Sequence, residues 1–256
     1  MTNLLIRGML AGLLAGIIAF GFARILGEPQ IDRAIAFEQQ MRHAQGEASE
    51  PELVSRRAQA GIGLFTGVMV YGTALGGLYS LVFAFAYGRV GAFSPRGTAA
   101  LMALAGFLII VVVPQLKYPA NPPSVGDPGT IGLRTALYFV MLAMSLAACV
   151  LAIGLAQRMC ERLGDWNAVL LGILAFVLVI VVMDYVLPDI NEVPDRFSAV
   201  VLWRFRIAAL GIQAMLWATL GITFGIAAEK YLGAAEAHRH AGPAGISPTP
   251  IKTRGI

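Results

Sequence analysis

Carboxylates and the amide of Asn191 in one polar segment of the chain are side chains of the kind that can hold a hydrated divalent cation. The stretch "VVMDYVLPDINEVPDRF" (the third polar segment, 181–197) places Asp184 at the end of an apolar run, with Asp189 and Glu192 in the loop that follows. Oxygen donors of this kind suit hard divalent ions. An acid close to a membrane interior is a functional candidate because its charge is costly to bury. An acid-rich surface loop that binds no metal is the alternative.

A second group of donors lies in "GEPQIDRAIAFEQQMRHAQGEASEPE" (the first polar segment, 27–52). Pro29 suits the first turn of a short helix. At 3.6 residues per turn, Asp32 and His43 share a narrow stripe, and Glu28 lies just before it. This stripe predicts either weak contact with a divalent metal or a solvated polar face.

Between these lies "LKYPANPPSVGDPGTIGLR" (the second polar segment, 116–134), which is too rich in proline for a plain helix. Its prolines predict a fixed irregular backbone whose carbonyls can face a ligand. At membrane depth such a backbone must be buried in protein or line a wet cavity, whereas a rigid cap joining two helices is the alternative. The candidate ion-path residues here are Asn121 and Asp127, and the structural candidates are Lys117, Tyr118, Pro119, Pro122, Pro123 and Arg134.

The sequence lacks the motifs of several common kinds of enzyme and metal site. There is no phosphate-binding P-loop and no His-Glu-x-x-His motif. Cys149 and Cys160 form no pair with ligand spacing. The net charge of +4 is small and scattered, which argues against a nucleic-acid partner. We therefore expect no enzyme and no tightly bound cofactor.

The elements that carry these segments are predicted from hydropathy. The chain is 57% hydrophobic and 13% charged, with a mean hydropathy of +0.72, which places it in a lipid bilayer. Apolar runs predict an all-α bundle of about six transmembrane helices in three hairpins, near 4–25, 62–86, 98–113, 131–156, 166–187 and 202–228. Pro114 is expected to end or kink the third helix. Residues 1–231 form the predicted bundle, and residues 232–256 form a polar, disordered tail.

Charge is distributed unevenly between the two ends of this predicted bundle. Eleven of the fifteen acids lie on or near the side of the three polar segments. Arginines begin the helices that leave this side, namely Arg57, Arg134, Arg204 and Arg206. They predict either interfacial anchors or partners for the acids of the preceding loops. Arg89 and Arg96 in an acid-free loop favour cytoplasmic termini. The polar segments are then expected on the periplasmic side of the membrane.

Three motifs in order, "GEPQIDRAIAFEQQ", "LKYPANPPSVGDPGTI" and "PDINEVPDRFSAVVLWRFR", resemble the CbtA family of predicted cobalt transporter subunits. The resemblance covers nearly the whole chain. It implies a bacterial inner-membrane protein of about five helices, linked to cobalt uptake. It also implies a one-helix partner, CbtB, with a histidine-rich end.

The sequence thus predicts a membrane subunit of a cobalt(II) uptake transporter. Acids at the outer side would concentrate the hydrated ion, and Asp184 with proline-held carbonyls would line its entrance. The alternative is a non-transporting membrane scaffold whose rigid outer loops bind a partner protein. The sequence leaves the oligomeric state open.

Overall fold

The computed structural model describes residues 2–46, 54–123, 125–126 and 128–240 of the 256-residue chain. Within these ranges the regular structure is helical and contains no strand. The prediction of an all-α fold is confirmed. Five of its helices are long and apolar enough to cross a membrane.

The first three spanning helices each change their winding near the end that carries the polar segments. Helix α1 (Thr2–Phe22) continues through a π-helical stretch (Ala23–Gly27) into α2 (Glu28–Gln45). The second comprises α3 (Arg56–Ala58), a π stretch (Gln59–Gly63) and α4 (Leu64–Ala86). The third comprises α5 (Pro95–Gly106), a π stretch (Phe107–Val112) and α6 (Val113–Lys117). A π stretch leaves backbone carbonyls for other donors, and Ser145 donates its hydroxyl to one of them, at Ile109, at 2.5 Å.

Pro114 neither ends the third helix nor breaks it, since the helix continues to Lys117. Proline cannot donate to the preceding turn, and the π stretch directly before it already departs from regular α-helical bonding. The helix therefore ends about one turn later than the expected end near residue 113.

The fourth spanning helix, α7 (Ile131–Val186), contains the fourth and fifth predicted runs. Its backbone is non-helical at Gly164, where φ is 74° and ψ is 161°. A Cβ atom on Gly172 would lie 2.9 Å from the carbonyl oxygen of Ala152, so the two halves run back along each other. A straight helix of this length would extend about 84 Å, against about 30 Å of hydrocarbon. The predicted count of six helices is not confirmed, because the described part of the chain has five elements long and apolar enough to span a membrane, and α7 holds two of the predicted runs on either side of Gly164.

The last spanning helix, α8 (Ala199–His240), crosses the core of the bundle. Its backbone remains helical past Tyr231, where the bundle was predicted to end. Residues 241–256 of the predicted tail lie outside the described ranges.

Glycines allow the helices to touch at their backbones. A Cβ on Gly72 of α4 would lie 2.5 Å from the carbonyl oxygen of Gly12 in α1. On α8, a Cβ on Gly221 would lie 2.5 Å from the Cβ of Ala103 in α5. Such close approach leaves no room for a side chain at these positions, so the packing requires glycine there.

Candidate functional site

The three polar segments meet at one end of the bundle. Ala34 of the first segment, Val125 of the second and Phe197 of the third form a single buried apolar cluster. The rings of Phe37 and Phe197 pack edge to face with centroids 5.1 Å apart. Segments that are far apart in the sequence are thus joined at one surface, which we call the rim.

The second polar segment is fixed against the third by side chains at its start. Tyr118 is buried, and its hydroxyl donates to the carbonyl of Pro188 at 2.9 Å. Burial raises the pKa of this phenol above its ordinary value, so it remains a donor at neutral pH. The ammonium group of Lys117 donates to the carbonyl of Asp184 at 2.6 Å and pairs with the carboxylate of Asp189. Pro122 is fully buried, whereas Pro119 is half-buried and Pro123 is exposed.

Beneath this segment lies a cavity of about 350 Å³, which we call the rim cavity. Its polar lining comes from the second and third segments and from the helices α6, α7 and α8, through Gln115, Tyr118, Asn121, Arg134, Thr135, Tyr138, Asn191 and Arg206. Two guanidinium groups therefore face the same space, and among the described residues no acid contributes to its lining. The irregular backbone of residues 118–121 contributes to the lining of this cavity.

Arg206 is held at this cavity by the proline-rich segment. Its Nη2 donates to the side-chain oxygen of Asn121 at 2.9 Å, and its Nε donates to the carbonyl of Ala120 at 3.3 Å. One of the carbonyls that we expected to be available to a ligand is therefore used by the protein itself. The carbonyls of Asp184 and Pro188 in the third segment are used in the same way.

Most of the predicted ion-path acids are paired with basic side chains. Glu28 is buried and pairs with Arg56, which also contacts Asp32 at 3.1 Å. Glu192 accepts from Arg134 at 2.7 Å and from the hydroxyl of Thr130.

The remaining candidates are exposed or undescribed. The side chains of Asp184 and His43 are exposed, and Asp184 does not line the rim cavity. Asp127 lies outside the described residues. Within the described ranges, no three His, Cys, Asp or Glu side chains form a group that could hold a metal ion.

The arginines at the helix starts divide into two classes. Arg57 and Arg204 are exposed, and the neighbour of Arg57, Arg56, makes the contacts with acids of the preceding segment. Arg134 instead pairs with Glu192, which comes later in the chain, and Arg206 contacts the second segment rather than the third. Among these arginines, only Arg56 pairs with acids of the polar segment that directly precedes its helix.

Sequence reasoning did not select Tyr138 or Thr130 as site residues. Tyr138 lies four residues after Arg134 on α7, so helical spacing places both on one face and could have indicated it. Thr130 had no such signal, because its acidic partner lies 62 residues away in the chain.

One known protein family matches most of the chain. The model of the family described as "Probable cobalt transporter subunit (CbtA)" matches residues 1–229. The chain belongs to the CbtA family. No protein with a curated description and no solved structure matches it.

Membership of the CbtA family makes the chain a probable cobalt transporter subunit, a class that is typically not enzymatic. The apolar helices and the family together indicate a multi-pass membrane protein. A subunit implies further subunits of the same transporter. The alternative of a non-transporting scaffold has no support from the family.

Proposed function

We propose that this protein is the membrane-spanning subunit of a cobalt(II) uptake system in the inner membrane of a bacterium. The observation that carries the proposal is the match of the CbtA family over residues 1–229. The joined rim supports it, because an uptake subunit needs a polar entrance at one end of its helices. A one-helix subunit of the CbtB type would supply imidazole ligands, because His43 is the one histidine in the three polar segments of this chain.

The exposed acids of the rim attract the cobalt ion while it keeps its shell of water, so they do not need to bind it directly. Asp32 and Asp189 have side-chain exposures of 61% and 91%, and Asp184 is also exposed. Carboxylates collected on one surface raise the local concentration of cations and the rate of their encounter. Asp32 and Asp189 pair with Arg56 and Lys117 but remain open to solvent. Glu28 and Glu192 are paired and also largely buried, with side-chain exposures of 5% and 8%, so they hold the rim together and contribute less to this attraction.

The arrangement of charge also supports an orientation. Arg89 lies in the acid-free connection between α4 and α5, and Arg96 lies in the first turn of α5, at the end opposite the rim. Basic residues in short loops favour the cytoplasmic side. The termini are accordingly cytoplasmic, and the rim faces the periplasm. With no P-loop in the chain, a gradient or another subunit supplies the energy.

Uptake of radioactive cobalt tests the proposal. Right-side-out vesicles are prepared from cells that produce the chain with its native neighbours and from cells in which it is deleted. We expect faster uptake in the first set, and equal uptake would reject the function.

A matched pair of variants then tests the rim. Asp184→Asn removes an acid of the rim, whereas Asp165→Asn makes the same change at the turn of α7, about 30 Å away along the helix. We expect slower uptake at low cobalt with Asp184→Asn alone. Equal rates in the two variants would reject the role of the rim while leaving the transport function intact.

A further inference from the structure

We propose that the rim cavity is a binding site for an oxyanion, a carboxylate or phosphate group carried by a small molecule or by a lipid, with Arg206 as its principal ligand. This goes beyond the proposed function, since cation attraction by the exposed acids does not involve the cavity.

The guanidinium of Arg206 is fixed in position but only partly satisfied. Arginine has five N–H donors, and the contacts with Asn121 and Ala120 use two of them. In the described part of the chain, the remaining donors have no protein acceptor, and no carboxylate pairs with this group. Its donors are therefore available at the cavity in a defined orientation.

The other fixed cations of the rim differ from Arg206 in having acidic partners. Arg56 pairs with Glu28, Lys117 with Asp189, and Arg134 with Glu192. The charge of Arg134 in the cavity lining is thus balanced, whereas that of Arg206 is not. A half-buried charge without a counterion is unfavourable, and an anion entering the cavity would supply one.

The cavity has the size and the polar groups for a small oxyanion. Its volume of about 350 Å³ lies at the lower end of ligand-binding pockets. The amide of Asn191 and the hydroxyls of Thr135 and Tyr138 provide further hydrogen-bonding groups around the two guanidiniums. A planar guanidinium donates two parallel hydrogen bonds to a carboxylate or phosphate, which favours these groups over a spherical anion.

Two substitutions separate an anion site from an interfacial arginine that serves only as an anchor. Arg206→Gln removes the proposed ligand, and Arg204→Gln is its control, because Arg204 is exposed, lies two residues away and does not line the cavity. Asn121→Asp is nearly isosteric and places a carboxylate next to Nη2 of Arg206. This carboxylate would pair with the guanidinium in place of a bound anion.

Binding is measured on the purified full chain in lipid-depleted detergent by isothermal titration with citrate and with inorganic phosphate. We expect binding to the wild type and to Arg204→Gln. The affinity should fall by about tenfold or more in Arg206→Gln, since a charge-assisted contact is lost. Binding should also be lost in Asn121→Asp, which should unfold at a higher temperature than the wild type.

Native mass spectrometry and competition identify the source of the oxyanion. Retained phosphatidylglycerol that competes with citrate and is absent from Arg206→Gln would identify a lipid headgroup, whereas binding of citrate or phosphate without such competition would identify a free anion. The proposal is overturned if the wild type binds none of the three probes, or if Arg206→Gln and Asn121→Asp bind them as the wild type does. Cobalt uptake is scored separately, so either idea can fail alone.

Discussion

Replacing Gly12 with alanine should separate the two most closely packed helices of the bundle. The new Cβ would lie 2.9 Å from the Cα of Gly76 and closer still to the carbonyl oxygen of Gly72. Relief of these overlaps requires α1 and α4 to move apart by roughly 1 Å, and gaps of that size forfeit about a quarter to a half of each dispersion contact. Overpacking of this kind costs about 1–3 kcal/mol.

The matched control for this substitution is Gly21→Ala in the same helix. A Cβ on Gly21 would meet no atom within 4 Å. Alanine should therefore stabilise α1 there by about 0.5–1 kcal/mol, since glycine is the poorer helix former. The two variants should differ in free energy of unfolding by about 2–4 kcal/mol.

Thermal unfolding of the purified variants in one detergent measures this difference. For a chain of this size, 1 kcal/mol corresponds to about 2–4 °C, so the midpoint of Gly12→Ala should lie about 4–16 °C below that of Gly21→Ala. Equal midpoints would refute the reasoning, because they would show that α1 and α4 are not in backbone contact at Gly12.

Two further predictions concern the charges of the rim. Glu192→Gln should lower stability by about 1–2 kcal/mol, because Arg134 loses its charged acceptor; the exposed Glu161→Gln should leave the unfolding midpoint unchanged, and equal effects would contradict the pairing. At low cobalt, the initial uptake rate should fall by about two- to fivefold when choline chloride raises ionic strength from about 0.01 to about 0.15 M, because the Debye length falls from about 30 to about 8 Å. A rate independent of salt would show that the exposed acids do not attract the ion.

The fold class and the close helix contacts could be predicted from sequence because both depend on local signals. Apolar runs of spanning length identify helices, and glycines four residues apart identify a face on which backbones can meet. The break within α7 could be placed in the same way, since Gly164 lies in the connection predicted between the fourth and fifth apolar runs. The apolar runs did not indicate that helical bonding continues almost to Gly164 on both sides.

The site could be predicted in part. That three polar segments share one end of the bundle follows from the alternation of helices across the membrane. Which groups pair with one another does not, since Arg134 and Arg206 find partners 58 and 85 residues away. Those contacts depend on how the helices are arranged around one another. In this arrangement Glu28 and Glu192, which were expected to bind a metal, form ion pairs with arginines, and Arg206 faces a cavity.

The side of the membrane on which each segment lies tests the central claim most directly. Single cysteines at Asp32, Asp189 and Asp165, in a chain whose Cys149 and Cys160 are replaced by serine, are treated with a membrane-impermeant maleimide in intact spheroplasts. We predict labelling of Asp32→Cys and Asp189→Cys, and labelling of Asp165→Cys only after permeabilisation. Labelling of Asp32→Cys and Asp189→Cys from opposite sides of the membrane would contradict a shared periplasmic rim.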